Sequence, residues 1–198
     1  MFTARRATAI ALPAVLLFTL GGCALVDPSG DGEQLTGTAA CALGHTWELN
    51  VDDLAEQIKN DLTNAGVTVD TVVASGSQTF DWSIEGHVAI TSDYTITVKT
   101  VPAAEQVLTV EQTHSGSITG AAYINGEVAI PRKWDDSDFS VDTTADLSGE
   151  KVEEADLTIT IPPTDFDDSV GLELTCNGKE LTIHPRGSVI TQTWARKD

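Results

Sequence analysis

Apolar and polar residues alternate with a period of two through most of the chain after Gly66, and no other feature narrows the accessible folds as much. Phe80, Trp82 and Ile84 alternate with polar neighbours. Val88 and Ile90 lead into Tyr94, Ile96 and Val98, and Leu172, Leu174 and Cys176 are answered by Leu181 and Ile183. Successive side chains of a strand point to opposite faces, so such a pattern describes strands with one face in a core and one in water. Further runs at 67–73, 107–110, 118–130, 139–141, 157–161 and 189–194 extend the series. Asn125-Gly126, Asn177-Gly178 and Pro185-Arg186-Gly187-Ser188 supply turns between them. The reading is an antiparallel meander of eight to ten strands. A meander of that length removes its edges by closing into a barrel or folding into a sandwich. Leu157–Ile161 reads as a strand stopped by Pro162-Pro163. Phe80, Trp82 and Ile84 suggest an interior filled by side chains, whereas the threonine-rich segments 91–100 and 157–164 suggest an open one.

One segment breaks the pattern. Asn50 precedes Val51-Asp52-Asp53-Leu54, and Leu54, Ile58 and Leu62 recur every fourth residue, with Val51 and Ala55 widening the stripe. The spacing predicts an amphipathic helix near 51–65, capped by Asn50, with acids at its positive end and Gly66 to end it. Its apolar stripe must lie on a sheet or plug a barrel end.

The N-terminus has its own logic. Arg5 and Arg6 precede an uncharged run, Ala7 to Leu20, which is followed by Gly21-Gly22-Cys23. This is the layout of a secretory signal, residues 1–22. The run is shorter than the roughly 20 residues that span a bilayer as a helix, and Pro13 interrupts it. Leu20-Gly21-Gly22-Cys23 resembles the lipobox of bacterial lipoproteins. The resemblance implies cleavage before Cys23 and a diacylglycerol on its sulfur, placing the mature chain on the extracytoplasmic face of the cell membrane. Two acyl chains anchor stably where one is marginal. Residues 23–39, rich in Gly, Pro, Ser and acids, read as a tether, and residues 40–198 as a single domain beginning with a turn and a short strand.

Removing residues 1–22 takes away two arginines and no acid, which moves the formal charge from −19 to −21. A surface this acidic repels nucleic acid and anionic head groups. Of three cysteines, Cys23 is assigned to lipid, which leaves Cys41 and Cys176 as a pair in an oxidising compartment. A disulfide between them is expected. It would close a loop of more than a hundred residues, worth about 5 kcal/mol in the chain-entropy account.

Cys41-Ala-Leu-Gly-His-Thr-Trp47, Leu174-Thr-Cys-Asn-Gly-Lys-Glu-Leu-Thr-Ile183 and Thr193-Trp194-Ala-Arg196 together resemble a group of actinobacterial secreted lipoproteins with a lipocalin-like domain. The likeness implies a β-barrel in which Trp47 on the first strand closes one end and Arg196 near the last strand packs over it. Gly44 and Trp47 stand one residue further apart than in the Gly-x-Trp of lipocalins. The alternative architecture is an open, curved sheet packed on a helix.

Catalytic motifs are not found. His45, His87, His114 and His184 show no metal-ligand spacing, and Gly116-Ser117-Ile118-Thr119-Gly120 is not a nucleophile elbow. Asp165, Asp167 and Asp168 have calcium-loop phasing, but Val170 stands where the loop glycine belongs, and they read as solvated loop charge, as do Asp135, Asp136 and Asp138. No enzymatic activity, cofactor or metal is expected. The expected function is that of a cell-envelope lipoprotein binding a small apolar or lipid-like ligand in its barrel. The alternative is a structural or interaction lipoprotein whose barrel is filled by its own side chains.

Overall fold

A computed structural model describes residues 35–103, 106–153, 157, 159–162 and 169–197. Among these residues there are nine strands and two helices. In chain order they are α1 (Gly37–Ala42), β1 (His45–Leu49), α2 (Val51–Asn64), β2 (Val69–Trp82), β3 (His87–Ala103), β4 (Gln106–Asn125), β5 (Val128–Leu147), β6 (Glu150–Val152), β7 (Leu172–Cys176), β8 (Glu180–Pro185) and β9 (Gln192–Arg196). All pairings are antiparallel, and the sheet runs in the order β4-β3-β2-β1-β9-β8-β7-β5-β6. β4 also pairs with β5, so the hydrogen bonding closes into a ring of eight strands, with β6 outside it on β5.

The strands are of very unequal length. β1, β7, β8 and β9 have five or six residues, whereas β2 to β5 have fourteen to twenty. β1 meets only residues 79–82 of β2, and β7 meets only residues 128–129 of β5. The remaining lengths, 69–78, 91–100, 108–117 and 138–147, pair with one another and with β6. They leave the ring as an open blade. Closed sheet and open sheet are thus two ends of the same long strands.

The helix at 51–64 forms as its spacing predicts. The Asn50 side chain accepts the Asp53 N–H at 3.1 Å, and Gly66 follows the last turn at φ +88°. Leu54, Ala55, Ile58 and Leu62 are buried in the core. The helix leaves the ring where the Asn50 N–H donates to Thr193 and runs beside β2 toward the blade tip. Gln57 locks it to the ring, donating to the Thr191 carbonyl at 2.6 Å and accepting the Thr191 N–H at 2.8 Å.

Two glycines mark the passage from ring to blade. Gly76 pairs with Tyr94, and Gly116 pairs with Ser92 and Phe139. Both have φ near +100°, a region nearly closed to other residues. A Cβ there would collide with the backbone carbonyl of Asp93 or Asp138. Next to them His114 lies flat on Tyr94, ring centroids 4.4 Å apart, and its Nε2 donates to Gln112 Oε1 at 3.0 Å. Gln78 donates to Ser92 Oγ at 2.7 Å, both almost wholly buried.

Several expectations need correction. Residues 37–39, placed in the tether, begin α1, and Cys41 lies in that helix rather than in a turn. Ile84 falls after β2 ends and is 64% exposed, so it fills no interior. The acids Asp135, Asp136 and Asp138 lie within one continuous strand, β5, not in a loop. Residues 157 and 159–161 are not in a strand; Ile159 and Ile161 alternate because they are buried in the core. At the Asn125-Gly126 turn the asparagine is the last paired residue. Asn125 opposes Val128, so Gly126-Glu127 forms the two-residue loop, with positive φ at Gly126 only. That is the pattern of a II′ hairpin rather than the I′ form usual for Asn-Gly.

Candidate functional site

The two chain ends meet at one seam. β1 pairs with β9, and Trp47 is the register partner of Arg196. Residues directly opposed on antiparallel strands share a face. The Trp47 indole donates to the Ala42 carbonyl at 3.0 Å, and Arg196 Nη1 donates to the Gly178 carbonyl at 3.4 Å. Cys41 and Cys176 are joined by a disulfide, with Cα atoms 6.0 Å apart, and the Gly178 N–H points at Cys41 Sγ at 3.0 Å. Four of the residues singled out in the sequence, Cys41, Trp47, Cys176 and Arg196, are therefore gathered around one corner. Cys23, residues 1–22 and most of the tether lie outside the described residues, as do Asp165, Asp167 and Asp168.

Inside the ring the space is taken by large side chains. Trp47, Trp82 and Trp194 are at most 1% exposed, as is Phe80. The Phe80 ring sits 5.1 Å from Trp82 and 5.7 Å from Trp194. Leu172, Leu181 and Ile183 complete the lining from β7 and β8. Edge and offset contacts of this kind add to the burial of the aromatic area itself.

The blade's outer face is polar. Cross-strand registers place Ser75, Thr95, Thr113 and Asp142 in one row, and Ser77, Asp93, Ser115 and Ser140 in the next. Thr95 and Thr113 hydroxyls are 3.1 Å apart, and those of Ser115 and Ser140 are 3.0 Å apart. A shallow open groove on this face is lined by Thr109, Glu111, Thr144 and Asp146. Two exposed carboxylates are held below their usual range. Asp135 is stabilised by the Ser137 hydroxyl and then by the Ser137 N–H, and Glu85 by its own backbone N–H and then by the Ser83 hydroxyl. The desolvation of these two groups works in the opposite direction and is outweighed.

The four histidines occupy different settings. His45 stands edge-on to Trp47, His87 opens β3, His114 stacks on Tyr94, and His184 Nδ1 hydrogen-bonds with Thr191 Oγ1 at 3.0 Å. Among the described residues no three His, Cys, Asp or Glu side chains converge as metal ligands, and no helix is long and apolar enough to cross a membrane. The polar set missed in the sequence is Gln78, Ser92 and His114. Its one signal was polar residues standing at apolar positions of the alternation, beside Gly76 and Gly116.

No family model, curated protein or solved structure matches this chain.

Proposed function

We propose that this chain is an exported, non-enzymatic envelope lipoprotein, held to the membrane through lipid on Cys23, whose lipocalin-like barrel is filled by its own side chains and which acts through its outer surface. The observation that carries this reading is the interior. An apolar ligand in the ring would need the space that Trp47, Trp82, Trp194 and Phe80 occupy at 1% exposure or less. Such a core stabilises and orders, because protein interiors at native packing density leave few voids larger than a water. The Trp47–Arg196 register supports barrel closure at the seam that the lipocalin resemblance implies. The acidity of the exported chain disfavours nucleic acid as a partner. What remains available for recognition is the outside of the ring and the long blade.

Native mass spectrometry of residues 24–198, exported into an oxidising compartment, tests this directly. The expected mass is that of the bare polypeptide less the two hydrogens of one disulfide. An additional mass that disappears on organic extraction would overturn the filled-barrel reading in favour of a bound apolar ligand, and would identify it.

A further inference from the structure

The anchor, the disulfide and the charge distribution share one axis. The chain enters the fold through α1, which the Cys41–Cys176 disulfide fixes to the end of β7. The Gly44 N–H donates to the Trp82 carbonyl, so α1 stands where β2 ends and β3 begins. This pole of the ring, its base, also holds the Asn177–Glu180 turn. The blade leaves from the opposite side. From His87 at the base to Thr100 near the tip, β3 covers about 45 Å at the usual rise per residue.

Charge is divided along the same axis. Lys179 and Lys197 are exposed at the base beside Arg196, whose N–H donates to the Lys179 carbonyl. Arg132 opposes Ala121, which opposes His87, so Arg132 and the adjacent Lys133 stand at this level too. These five make up most of the nine cations that follow residue 22. The acids around them among the described residues are Glu48, Asp81, Glu85, Glu127, Asp135, Asp136 and Glu180, seven against five, since Asp135 stands in the same cross-strand row as Asp81, and Lys197 pairs with Glu48 at 3.4 Å. The base is therefore only weakly acidic. Among the described residues the blade carries Asp70, Asp93, Glu111, Asp138, Asp142, Asp146 and Glu150 against Lys99 and Lys151. Repulsion between this array and an anionic surface acts only within about a Debye length, some 8 Å. It therefore penalises a blade lying on the membrane and leaves an upright one unaffected.

We infer that the base of the ring, around the Cys41–Cys176 disulfide with Lys179, Arg196 and Lys197, is the face turned toward the lipid surface, and that the acidic blade stands away from it. This rests on the proposed lipid at Cys23. Residues 24–34 cannot reach further than about 40 Å even when fully extended, which is less than the height of the ring and blade together. Overall acidity argues against lipid contact for the chain as a whole; the fold weakens that objection at one pole by placing most of the uncompensated acid at the other.

The test uses the full lipidated chain in phosphatidylcholine–phosphatidylglycerol vesicles carrying a trace of fluorescent acceptor lipid. A donor fluorophore is attached either at the base, through Lys179→Cys, or at the blade tip, through Lys151→Cys. The roughly 45 Å between these levels makes energy transfer from the base about threefold or more that from the tip. Equal transfer, or greater transfer from the tip, overturns the orientation. A Cys23→Ser chain separates this from the anchoring. If the unmodified chain floats with the vesicles no better than Cys23→Ser, lipidation fails and the orientation with it. If it floats and transfer is equal, only the orientation fails.

Discussion

Gly116 shows how much one residue decides. Its φ of +101° lies outside the regions open to residues with a Cβ, and the atom that an alanine would add meets the Asp138 carbonyl of the neighbouring strand. Gly116→Ala is therefore expected to cost about 3 kcal/mol or more in urea unfolding, since neither φ nor the strand spacing can relax independently. Gly126→Ala is the control. Its φ is +62° with nothing within 4 Å of the added atom, so a loss of about 1 kcal/mol is expected. Asp135 offers a second residue-level test. Its carboxyl is held below the usual range, chiefly by the Ser137 hydroxyl. A depressed folded-state pKa stabilises above the unfolded value, and that contribution disappears as pH falls through the folded value. A carbon-detected NMR titration should show Asp135 ionising at lower pH than an unperturbed aspartate, and Ser137→Ala should return it toward the ordinary range.

At the scale of elements, local signals proved reliable where the chain alone satisfies its own hydrogen bonds. The α2 helix begins at the residue its cap predicts, and Asn50→Ala should lower stability by about 1 kcal/mol, measurable as a shift in the denaturation midpoint with unchanged slope. Strands are different, because their length depends on partners. β5 reads in the sequence as fragments separated by Asp135-Asp136-Ser137-Asp138, yet it runs unbroken from Val128 to Leu147. One side of it pairs with β4 along its length, with two register shifts between residues 132 and 138, and its outer face lies in water, where carboxylates cost little. Leu157 to Ile161 is the converse case. The alternation of Ile159 and Ile161 reflects burial without strand pairing. Periodicity reports which side of a segment meets the core, and only pairing makes it a strand.

For the whole molecule the seam between β1 and β9 is the critical closure. It joins the first strand to the last, and the Cys41–Cys176 disulfide spans 135 residues beside it. Replacing both cysteines by alanine should cost 2–5 kcal/mol, as is typical for native disulfides, and should be visible as a lower thermal midpoint. Trp47→Ala, which empties the ring next to the same seam, should cost about 3–5 kcal/mol. The two sites are neighbours, so the double change should depart from additivity.

Alternation, one helical stripe, two glycine-led turns and a pair of cysteines were enough to determine a mainly β chain with a capped helix and a disulfide between its ends. These features are local or nearly so: each is set by the period of side chains, by a cap or by the count of thiols. Trp47 and Arg196 were legible as residues, but their register was not, because it is set by the closing of β1 on β9. The division into a closed ring and an open blade depends on how far β2 to β5 outrun their short partners, and each strand's own pattern is silent about the length of its neighbours. The separation of a weakly acidic base from a strongly acidic blade has the same origin. Net charge is a property of composition, whereas its placement along the molecular axis follows from which strands cross the ring and which continue beyond it.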